Sequence, residues 1–103
     1  MSTAPTPPTG EQLDAARAFV ITRQRRNRAE LGTCGPEVVA AFDAWSHVVD
    51  KHMARAKVAV DRGEPVGAAG AWAVVVEALA GWVTHPEFPP CLYAEARAAR
   101  YGS

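Results

Sequence analysis

The densest chemistry in this sequence is an arginine run, Arg23, Arg25, Arg26 and Arg28, inside Thr-Arg-Gln-Arg-Arg-Asn-Arg. Guanidinium groups are planar donors that stay charged, which suits them to phosphate oxygens. On a helix these four fan around the axis, and a helix reading a groove would use three of them. No aromatic residue interleaves them to stack on bases. The ordinary reading is the cationic last turns of a helix, whose C-terminus favours positive charge. Arg outnumbers Lys nine to two over the whole chain, so part of the run is compositional bias.

Three further sets are spaced for chemistry. Cys34, His85 and Cys91 offer two thiolates and an imidazole, a partial metal set or a disulfide pair. Their spacing is not a zinc pattern and supplies no fourth ligand, so neither metal nor cofactor is expected. Arg17, His52 and Glu77 come level with one another when residues are counted back from the turns, which predicts a buried polar cluster. Such a cluster serves as a general base in a pocket, or as an ion pair inside a helical core. Asp43, His47 and Asp50 share one helix face with Lys57 and Asp61. They suit a metal or a poised imidazole, and equally ordinary pairing on a helix surface. Ser46 and His47 are adjacent and cannot face each other on a helix. Neither a phosphate-binding glycine loop nor a dinucleotide fingerprint occurs. The expectation is a protein that is not an enzyme.

The elements that position these residues are helical. The chain has 103 residues, 11 basic and 11 acidic, with 49% hydrophobic residues. That fits one domain with one modest core and excludes a disordered tail or a polybasic arm. Zero net charge provides no global steering toward nucleic acid or membrane. Residues 1–8 are Ser/Thr/Pro-rich and read as a flexible lead-in, without the basic-then-apolar order of a signal peptide. Residues 9–103 read as a single helical domain. Two cysteines are too few for a disulfide scaffold and point to a reducing compartment, hence the cytoplasm.

Thr9-Gly10-Glu11-Gln12 has capping-box spacing and opens a first helix that runs to about Leu31, with Gly32 as a left-handed stop. Gly35-Pro36-Glu37 opens the second. There Val38, Phe42, Trp45, Val49, Met53, Ala56 and Val60 fall on one narrow stripe, the strongest periodic signal in the chain. Glu64-Pro65 opens a third helix lasting to about Thr84, apolar nearly all round. His85-Pro86 and Phe88-Pro89-Pro90 form a rigid connection to a short last helix, about Cys91 to Tyr101. No internal repeat and no strand alternation occur. The fold expected is all-α, a small up-down helical bundle of three long helices plus a short C-terminal helix.

The stretch Val66 to Val83 is long enough to test as a membrane span. Half of it is Gly or Ala, and Glu77 opposes insertion, so it is expected to be a buried helix with no membrane partner. A helix without a polar face is either central or shared between chains. The expectation here is sharing. Trp72, Val75, Leu79 and Trp82 form a protein interface, giving a homodimer or higher oligomer, or contact with another protein. The function expected is that of an adaptor or stoichiometric inhibitor acting through this surface. The alternative is a nucleic-acid-binding protein using Arg23 to Arg28 on phosphates. A third reading is a small-ligand pocket or enzyme around Arg17, His52 and Glu77.

Overall fold

The computed structural model describes residues 6–102, and residues 1–5 of the expected lead-in lie outside it. The described residues form an all-α protein of four helices: α1 (Gly10–Leu31), α2 (Pro36–Asp61), α3 (Pro65–Leu79) and α4 (Tyr93–Tyr101), without strands. Pro8, still within the lead-in, is buried.

The expected capping box opens α1. The Gln12 amide donates to Thr9 Oγ1 at 3.1 Å, and the Thr9 amide donates to Gln12 Oε1 at 2.9 Å. These bonds satisfy two backbone donors that a helix start leaves free. Gln12 Nε2 also donates to Glu95 Oε1 at 2.8 Å, tying the start of α1 to α4. At the other end Gly32 is right-handed, with φ −57°, rather than the left-handed stop expected. The Cys34 amide closes this turn on Leu31 O instead. Pro36 takes the first position of α2. The left-handed conformation falls at Gly63, φ +69°, where the Glu64 amide reaches Ala59 O at 2.9 Å. This six-to-one bond ends α2 and reverses the chain into α3.

Helices α1 and α2 run antiparallel, as the Gln24–Asp50 and Arg28–Asp43 contacts show. So do α2 and α3, with Gly67 beside Ala59 at one end and Trp45 Nε1 donating to Ala78 O at the other. Helix α3 stops at Leu79, earlier than expected, and a 3-10 turn follows at Ala80–Trp82. The reason is packing. Residues 83–92 leave the α3 axis and return along α1, with His85 at Arg23, Phe88 at Phe19 and Cys91 at Gln12. A second 3-10 turn, Pro90–Leu92, leads into α4. Helix α4 then lies on α3, held by Trp72 Nε1 to Glu95 and by Arg100 to Gly81 O.

The core joins Leu13, Ala16, Phe19 and Val20 of α1 to Val49 and Ala56 of α2, and both to Trp72, Val75 and Leu79 of α3. Phe88, Leu92 and Ala96 close it. Helix α3 is therefore the central one, which is why it lacks a polar face. Trp72, Val75 and Leu79 are each 1% exposed or less, so the interface expected at them is corrected: these side chains are filled in by their own chain. Only Trp82 of that set is partly exposed. Pro65–Trp82 is apolar enough to span a membrane by length and composition, with mean hydropathy 1.3, but much of its apolar surface is spent on this core.

Candidate functional site

The arginine run does not present one phosphate-binding face. Arg23 is 5% exposed and points inward. Its Nη1 lies 2.8 Å from His85 Nε2 and its Nη2 donates to Glu87 Oε2 at 2.9 Å. The guanidinium carbon sits 5.6 Å from the Phe19 ring centre and 6.0 Å from that of Trp82, an arrangement in which aromatic faces stabilise a cation. The Glu87 amide donates to His85 Nδ1 at 3.0 Å. Both ring nitrogens of His85 thus face N–H donors. A neutral imidazole accepts at one nitrogen only, so the two contacts compete for a single acceptor. Arg23 Nε is buried without a partner. Arg26 meets Glu87 at 3.4 Å and Arg28 meets Asp43 at 3.2 Å, both on the surface. Arg25 is exposed and has no ion pair among the described residues.

The buried cluster expected of Arg17, His52 and Glu77 does not form. Arg17 and Glu77 are exposed, and the three side chains border different grooves. Arg17 lines an open groove of about 570 Å³ between α1 and α2, whose floor includes Leu13, Ile21 and Met53. His52 Nδ1 bonds to Val48 O of its own helix at 2.8 Å. Glu77 lies on the α4 side of α3. Counting residues from the turns gives the level of a side chain along a bundle but not its angle, and the angles here diverge.

Cys34 and Cys91 do not converge either. Both are free and exposed. Cys34 follows the last turn of α1, whereas Cys91 sits beside Gln12 in its first. A helix of this length separates them by about 30 Å. Among the described residues no group of His, Cys, Asp and Glu is placed to hold a metal ion. The Asp43, His47, Asp50 face is a seam of surface contacts. Asp43 takes Arg28, Asp50 takes Gln24, and Lys57 pairs with Asp61 at 3.1 Å.

What the sequence reading missed is the free end of the α1–α2 hairpin. The apolar stripe of α2 keeps one direction throughout. Its later residues Val49 and Ala56 are fully buried, while Val38 is 50% exposed and Phe42 and Trp45 are only partly covered. The cause is helix length: α3 ends level with Trp45, and its continuation turns toward α1. Among the described residues none continues α3 over Phe42 and Val38, and Val38 stays half exposed. Phe42 and Trp45 stack with ring centres 5.6 Å apart, and Trp45 touches Trp82 at 6.3 Å. Arg28, Leu31 and Val39 continue the surface around Phe42. The signal available in the sequence was that the α2 stripe is longer than any apolar partner stretch opposite it.

The described residues form a small all-α protein in which the Val38 end of the α2 stripe is only partly covered. Comparison with protein families, with curated proteins and with solved structures gives no match.

Proposed function

We propose that this chain is a non-enzymatic helical interaction protein, an adaptor or stoichiometric inhibitor, that binds through the partly covered face of α2 at Val38, Phe42 and Trp45. In this reading the three longer helices make an up-down bundle with a short fourth helix, and the hairpin tip projects beyond it. The antiparallel α1–α2 and α2–α3 contacts support that arrangement. The observation that carries the proposal is the change in burial along one stripe, from Val49 at 0% to Val38 at 50% exposed. A face that points in the core direction yet lacks a core is costly in water, at roughly 25 cal/mol per Å² of apolar surface, and a partner would remove that cost. Two exposed free thiols support a reducing, cytoplasmic setting.

Phosphate binding by the arginine run has weaker support. Arg23, Arg26 and Arg28 already engage acidic groups of the same chain, leaving Arg25 as the member of the run without such a partner among the described residues.

The test is site-specific photocrosslinking in cells that express the full chain. A photoreactive residue in place of Phe42 is expected to give a discrete adduct. The same residue in place of exposed Arg97 on α4 is the control. Adduct formation at position 42 no greater than at position 97 overturns the reading.

A further inference from the structure

We infer that the outer face of α4 is a docking surface for single-stranded RNA, with bases stacked on Tyr93 and Tyr101 and phosphates held by Arg97 and Arg100. The inference is independent of the α2 face.

The face follows from how α4 packs. Leu92 and Ala96 turn into the core. Glu95 is engaged by the Gln12 side-chain amide at 2.8 Å and the Trp72 indole at 3.0 Å. At 3.6 residues per turn, Tyr93, Arg97, Arg100 and Tyr101 fall within about 100° of arc, on the side opposite Glu95. All four are exposed, the two tyrosines by 46% and 58%. Neither arginine has an ion pair among the described residues. Arg100 donates to Gly81 O at 3.0 Å, and its guanidinium carbon lies 5.6 Å from the Tyr101 ring centre.

The residue types name the occupant. Two guanidinium groups without carboxylate partners call for a polyanion. Two open rings eight residues apart, about 12 Å along the helix, call for one that carries flat groups at intervals. A nucleic acid has both features. Its bases must be unpaired to lie on a ring, and unpaired bases splayed onto aromatic side chains are the usual target in RNA. The face has no Leu, Ile, Val or Met with which to build the apolar core of a protein interface. Its tyrosines supply the aromatic interleaving that the Arg23 to Arg28 run lacks.

Fluorescence anisotropy of the full chain with a labelled oligouridylate of about 12 nucleotides tests this, at about 50 and 200 mM salt. Tyr93→Ala should weaken binding at least about fivefold without changing the salt dependence, while Tyr93→Phe keeps the affinity. Arg97→Ala should flatten the slope of log K against log salt by about 0.7, the share of one phosphate contact. Arg25→Ala, at an exposed arginine outside the face, should change neither. Circular dichroism checks that all variants keep their helices. No binding at about 50 mM salt overturns the inference. Binding that is lost in Arg25→Ala but kept in both alanine variants of α4 overturns the choice of face. Equal affinity for polyglutamate, which has the charge without the bases, overturns nucleic acid in favour of an acidic protein. Tighter binding of the matching oligothymidylate overturns RNA in favour of DNA. Nuclease treatment before the crosslinks at positions 42 and 97 are read removes nucleic-acid adducts, so position 97 stays a control for protein contact.

Discussion

Arg23 and His85 stand 62 residues apart in sequence and 2.8 Å apart in the fold. Their contact, with Glu87 on the second guanidinium nitrogen, is where the segment after α3 is fastened to α1. It decides the fate of two features at once. It takes the first arginine of the basic run into the interior, and it fastens the segment after α3 to α1 rather than α2, where Val38 stays half exposed and Phe42 only partly covered.

Removing this fastening should destabilise the protein. Arg23→Ala removes one of the two donors facing His85 and the closer of the two arginines on Glu87, and opens space between Phe19 and Trp82, at a cost of about 2 kcal/mol, Glu87 being half exposed. Arg26→Ala loses only a surface contact with Glu87 and should cost less than about 1 kcal/mol. Urea denaturation of the two variants measures the difference. Equal costs would mean that Arg23 is not the fastening point.

Substitutions in α3 separate a core role from an interface role. Leu79→Ala should lower stability by about 2–5 kcal/mol, because Leu79 is 1% exposed and the cavity cannot fully collapse. Were α3 an interface, the same change would chiefly weaken association. Thermal melts at several protein concentrations distinguish the two. The core role predicts a fall in Tm that is the same at every concentration.

Two glycines should respond in opposite directions to alanine. Gly63 sits at φ +69°, where a Cβ is strained, so Gly63→Ala should cost about 1 kcal/mol. Gly70 lies within α3, and a Cβ there would meet nothing within 4 Å. Gly70→Ala should therefore stabilise by about 0.5–1 kcal/mol through helix propensity and a stiffer unfolded chain. Chemical denaturation of both variants gives the two signs.

Loss of the N-terminal cap should be felt by both α1 and α4. Thr9→Ala removes one member of the capping box and frees Gln12, which also holds Glu95, so a loss of about 1 kcal/mol is expected. Amide exchange should then accelerate in the first turn of α1 and at the start of α4 together. Acceleration confined to α1 would show that Gln12 does not couple them.

The cysteines should oxidise only between molecules. Cys34 and Cys91 lie at opposite ends of α1, much farther apart than the 7 Å at which a disulfide becomes impossible without backbone movement. Mild oxidation followed by non-reducing electrophoresis should yield crosslinked oligomers and no faster-migrating monomer. A faster monomer band would contradict the placement of Cys91 beside Gln12.

The sequence by itself determined the local features. Thr9 with Gln12, Pro36, Gly63 and Pro65 mark the starts and stops of helices through bonds made within a few residues, so their types and spacing suffice. The stripe from Val38 to Val60 likewise declared which way α2 faces. Tertiary structure decided everything that depends on the path between helices. Proline-rich residues 85–90 permit several directions, and only packing of Phe88 on Phe19 and of His85 on Arg23 selects the return along α1. That path separates Cys34 from Cys91 and helps enclose α3 at the centre of the core, while the angles of Arg17, His52 and Glu77 about their own helices send them to three different grooves. Helical periodicity gives the direction of a side chain about its own axis. Whether another element stands in that direction is a property of the tertiary structure, and among the described residues Val38 is left half exposed and Phe42 only partly covered.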